Sequence, residues 1–74
     1  MNVFEITTTA QKIENYLLQR PNATDTVEGI HNWWINSLGT ISATKSALEQ
    51  LEEDGTVEQY KIGNSVVWRR KRFS

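Results

Sequence analysis

Residues 41–70 read ISATKSALEQLEEDGTVEQYKIGNSVVWRR, and two periodicities meet inside them. Up to residue 53 the apolar positions recur at helical spacing. Ile41, Thr44, Ala47, Leu48 and Leu51 share one face, and Ser42, Ser46, Glu49, Gln50 and Glu53 take the other. Ala43 and Lys45 fall on the flanks. This predicts a helix over about 43–53, capped by Thr40 or Ser42 and ended by a left-handed Gly55. From residue 57 the period becomes two. VEQYKI and SVVWRR flank Gly63-Asn64, a pair suited to a two-residue type I′ or II′ turn. Such a turn sets Lys61 opposite Val66, Gln59 opposite Trp68 and Val57 opposite Arg70. Val57, Val66 and Trp68 then cover the core. Tyr60, Ile62 and Val67 face outward, and Glu58 opposes Arg69 as a cross-strand ion pair.

Upstream lie two more helical stretches, separated by the lone proline in RPNATD. The first is predicted over about Thr9 to Gln19, with Thr7 to Thr9 supplying the cap. Its inner face carries Ala10, Ile13, Tyr16 and Leu17. Val3 to Ile6 reads as a short extended N-terminal strand with Leu18 packed beneath it. The second helix is predicted over about Thr26 to Asn36, with Asp25 and Glu28 in capping-box spacing. Its stripe is Val27, Ile30, His31, Trp34 and Leu38. Trp33 falls off that stripe, because adjacent helical residues point about 100° apart. It is either an exposed contact residue or covered by the N-terminal segment. Gly29 inside this helix costs about 1 kcal/mol relative to alanine, which points to a packing reason for a small residue.

Composition narrows the function classes. The chain has 74 residues, no cysteine and one histidine. That removes disulfides, a thiol nucleophile, a thiolate metal site and a histidine-rich metal site. No cofactor or metal is expected. No apolar run approaches the roughly 18 residues of a membrane span. The start MNVFEITTT lacks the features of a secretory signal, so the expected compartment is the cytoplasm. No Ser/His/Asp spacing suggests a triad, and His31 reads as a satisfied core or edge histidine, so no enzyme is expected. The chain is read as one domain, 1–74, with 69–74 a basic C-terminal tail. Net charge is −1, but unevenly spread: residues 1–68 carry four basic against nine acidic side chains, and Arg69, Arg70, Lys71 and Arg72 add four positive charges.

Three helices followed by a hairpin, with Ala47-Leu48, Leu51, the acidic Glu52-Glu53-Asp54, Gly55 and Val57 in this order, resemble the third helix and wing of the winged helix-turn-helix family. Trp68 looks like the aromatic residue often found in the second wing strand. The resemblance covers roughly residues 10–70 and identifies no subfamily. It implies an α+β fold, a three-helix bundle with a C-terminal β-hairpin wing. It also implies that helix three enters the major groove of double-stranded DNA and that the wing touches the backbone.

Two functions follow as expectations. In the first, the chain is a small DNA-binding transcriptional regulator. Ser42, Lys45, Ser46 and Gln50 read the groove, while Lys61, Asn64 and Arg69, Arg70, Lys71 and Arg72 hold phosphates. Against it stand Glu49 and Glu53 on the same helix face. The tail has two other readings: a solubilising chain end, or a strap folded onto Glu49, Glu52, Glu53 and Asp54. In the second function, the fold is a protein-interaction or homodimerisation module. Its contacts are Trp33 and the outer hairpin face, Tyr60, Ile62 and Val67.

Overall fold

Ile6, Thr9, Ala10, Ile13 and Leu17 form a continuous i, i+3, i+4 stripe, and the first helix, α1, runs along all of it as Val3–Gln19. The computed structural model describes residues 3–72. The early start corrects the expected N-terminal strand: Val3 to Ile6 is helical, and the threonines lie within α1 rather than cap it. Three consecutive β-branched residues are weak helix formers, but tertiary packing overrides propensity. Thr9 is 1% exposed and Ile6 packs on the core, so helix here buries what a strand would leave in water. With no strand above it, Leu18 is 75% exposed instead of covered.

The chain leaves α1 through Pro21 and makes a two-residue strand, β1 (Thr24–Asp25). The cap of the next helix is Thr26, one residue later than the Asp25 reading. Its hydroxyl accepts from Gly29 N at 3.2 Å, and Asp25 Oδ1 accepts from Thr26 N at 2.8 Å. Helix α2 is short, Val27–Gly29, and continues as a π-helical turn, Ile30–Trp34. The Ile35 N–H donates to Ile30 O at 3.3 Å, an i→i−5 bond. Five-residue spacing puts Ile30 and Ile35 on one side, and both are buried. Leu38, expected inside from α-helical periodicity, is turned out instead. Trp34 is buried and stacks on Tyr16 with ring centroids 4.7 Å apart and planes 11° apart.

Helix α3 spans Ile41–Glu53, capped by Thr40, whose hydroxyl accepts from Ala43 N at 3.1 Å. Thr44, Ala47, Leu48 and Leu51 are buried as expected, joined by Ala43. Ile41 is half exposed, because the buried arc is centred on the small side of the helix, where Ala43 and Ala47 permit close packing. Gly55 ends the helix region at φ +80°, the left-handed conformation its position requires.

The hairpin follows its sequence reading in register. Strands β2 (Val57–Ile62) and β3 (Ser65–Arg70) pair antiparallel, with Lys61 opposite Val66, Gln59 opposite Trp68 and Val57 opposite Arg70. Gly63 has φ +61° and Asn64 is not in the positive region, the type II′ pattern. Strand β1 adds to the far side of β3, giving the order β1-β3-β2. Its two residues are too short to leave a sequence signal. Val57 and Trp68 join Ile13, Leu17, Ile30, Leu48 and Leu51 in one core between helices and sheet. Among the described residues no helix is long and apolar enough to cross a membrane.

Candidate nucleic-acid interface

The first turn of α3 and the hairpin turn stand side by side because Leu48, Leu51, Val57 and Trp68 lock α3 onto the sheet. Between them runs an open groove of about 580 Å³. Ser42 and Lys45 line it from α3, and Asn64, Ser65 and Val66 from the hairpin. Thr26 and Glu28 close its third side. Ser42, Lys45 and Asn64 are all exposed, so their polar ends are free to meet a ligand in water.

The other expected contact residues divide into separate places. Ser46 and Gln50 sit further along α3 and do not line the groove; Ser46 is half-buried and Gln50 exposed. Lys61 is exposed on β2, an edge strand of the sheet. Arg70, Lys71 and Arg72 lie at the opposite end of the hairpin from Asn64. There they line a second hollow of about 740 Å³ with Pro21, Asn22 and Thr56. Lys71 N donates to Thr56 O at 2.9 Å, which extends the strand pairing past Arg70. Six strand residues at about 3.4 Å each separate the two ends by roughly 20 Å.

Arg69 is held apart from its basic neighbours. Its Nε donates to Glu58 Oε2 at 2.8 Å, and its guanidinium lies 4.2 Å from the Tyr60 ring centroid. The expected Glu58–Arg69 pair is therefore present and about 30% exposed, a geometry that adds order more than stability. Arg69 is half-buried with its Nε bonded to Glu58, whereas Arg70 on the other face of the strand is exposed.

Acidic side chains temper the surface. Glu49 and Glu53 are exposed on the outward face of α3, and Glu28 stands on the groove rim. Gln59, not foreseen as a site residue, also lines the groove and donates from Nε2 to Glu52 Oε1 at 3.3 Å. Its place was readable from its register opposite Trp68. Val66, expected over the core with Val57 and Trp68, is instead exposed beside the turn, and Ile41, expected inward, is exposed at the start of α3.

The residues expected at a protein contact also separate. Trp33 is 75% exposed, and the N-terminal segment does not cover it. Ile62 is exposed and Tyr60 half-buried under Arg69. Val67 corrects its expected role: it is buried, on the central strand β3 with Tyr60 of β2 directly opposite it. His31 behaves as a structural residue. Its Nδ1 lies 3.0 Å from Thr44 Oγ1, which also lies 3.3 Å from Thr40 O. The bond ties the π turn to α3.

Comparison with protein-family models, with curated proteins and with solved structures finds no match.

Proposed function

We propose that the chain is a winged helix-turn-helix protein that binds double-stranded DNA and acts as a transcriptional regulator. Helix α3 is the major-groove reader, and the β2–β3 hairpin is the wing. The observation that carries this reading is the convergence of Ser42, Lys45 and Asn64 on one open groove. Polar side chains at a helix N-terminus beside a hairpin tip suit the geometry in which the first turn meets base edges and the wing meets phosphates.

Lys45 supplies the groove with positive charge, and Ser42 and Asn64 supply uncharged donors. The Arg70, Lys71 and Arg72 group makes a second phosphate contact about 20 Å away. Because Glu49 and Glu53 share the outward face of α3, binding depends on these few cations and is steeply weakened by salt. Fluorescence anisotropy with mixed-sequence duplex tests the reading. Binding at low salt that weakens in Lys45→Gln supports it, and no binding at low salt rejects it.

One observation favours a second reading. An indole 75% exposed on the π turn is a ready hot spot for a protein contact. In that reading Trp33→Ala abolishes partner binding or dimerisation, and Lys45→Gln leaves it unchanged.

A further inference from the structure

Ile41 opens α3 and Val66 stands near the start of β3, and both keep large apolar side chains in solvent, 44% and 37% exposed. A single exposed aliphatic residue needs no explanation. These two come from different elements and line the same groove as Ser42, Lys45 and Asn64. The groove thus offers aliphatic surface beside a cation, a hydroxyl and an amide.

In the DNA major groove only thymine presents an aliphatic group, its 5-methyl, next to a hydrogen-bond acceptor, O4. We infer that Ile41, with Val66 beside it, contacts thymine methyl groups and gives the protein a preference for thymine-bearing duplex. The inference rests on the DNA reading above. Ile41 occupies the first position of α3, the end of a reading helix that lies nearest base edges. Lys45, one turn further on, is left for phosphate. Ser42 and Asn64 supply donors that match O4 or a phosphate oxygen.

The test compares two duplexes by fluorescence anisotropy. One is a mixed sequence rich in thymine, and the other is the same sequence with deoxyuridine at every thymidine, which removes the methyl alone. The wild-type protein binds the deoxyuridine duplex about fourfold more weakly for each contacted methyl. Ile41→Ala weakens binding to the thymidine duplex more than binding to the deoxyuridine duplex, where the methyl contact is already absent, so the discrimination between the two duplexes shrinks. Circular dichroism confirms that the variant is folded, and Val66→Ala provides a second, independent substitution. Equal wild-type affinity for the two duplexes overturns the inference while the DNA reading stands. Absence of binding to both overturns the DNA reading and the inference with it.

Discussion

The Asp25 carboxylate fills the space that a Cβ on Gly29 would occupy. A glycine with helical φ −65° and ψ −42° therefore stands where alanine would favour the helix. The close approach that demands glycine is made by a side chain of β1, not by helix three as in helix-turn-helix units. Asp25 is held there by the bond from Thr26 N, which anchors the start of α2 to the sheet.

Gly29→Ala accordingly destabilises the fold. The helix gains about 1 kcal/mol in propensity, but displacing Asp25 orphans the Thr26 N–H at a cost of about 1–3 kcal/mol. The expected net loss is about 1 kcal/mol by urea denaturation. In an Asp25→Ala background the same change is stabilising, because the clash is gone and the propensity remains. A double-mutant cycle reads the reversal of sign directly.

The segment after the π turn stores backbone strain. Asn36 and Ser37 have φ of 54° and 61°, and Gly39 has φ 67° with a would-be Cβ 3.0 Å from Glu5 Oε1. Asparagine tolerates this region and serine does not. Ser37→Gly is expected to raise stability by about 0.5–1 kcal/mol, and Gly39→Ala to lower it by about 1–2 kcal/mol. Thermal melts of both variants check the opposite signs.

The two adjacent tryptophans respond differently to truncation. Trp34 is 8% exposed and stacks on Tyr16, whose other neighbour is the Arg20 guanidinium 4.7 Å from its centroid. Trp34→Ala should cost about 3–5 kcal/mol, and Trp33→Ala less than about 0.5 kcal/mol. Acrylamide should quench the Trp33 emission readily and leave Trp34 and Trp68 protected.

Charge on the outward face of α3 gives a prediction in both directions. Lys45→Gln lowers DNA affinity and reduces the slope of log K against log salt by about one. Glu49→Gln raises affinity, since an exposed acid on that face repels phosphate. Anisotropy titrations across a salt series measure both.

The hairpin register was legible because a two-residue turn fixes every cross-strand pair once Gly63-Asn64 is recognised. The cap at Thr40 and the left-handed Gly55 were legible because each answers a local need of α3. The π turn was not. Its i, i+5 spacing of Ile30 and Ile35 looks like one apolar residue too many to a reader using the α-helical period. The start of α1 differs because Thr7, Thr8 and Thr9 read as a cap with an extended Val3 to Ile6 before it, and only the tertiary burial of Ile6 and Thr9 decides otherwise. At the site, pattern alone placed Ser42 on the outward face of the helix and Lys45 on its flank. It did not reveal that they share a groove with Asn64, or that Pro21, Asn22 and Thr56 line a hollow with Arg70 to Arg72.

The most direct test of the DNA reading is an amide NMR titration of labelled protein with mixed-sequence duplex at low and moderate salt. Salt-sensitive shifts concentrated at Ser42, Lys45 and Asn64, with Arg70 to Arg72 following, are the predicted result. Shifts confined to the basic end, or centred on Trp33 with the groove silent, contradict it.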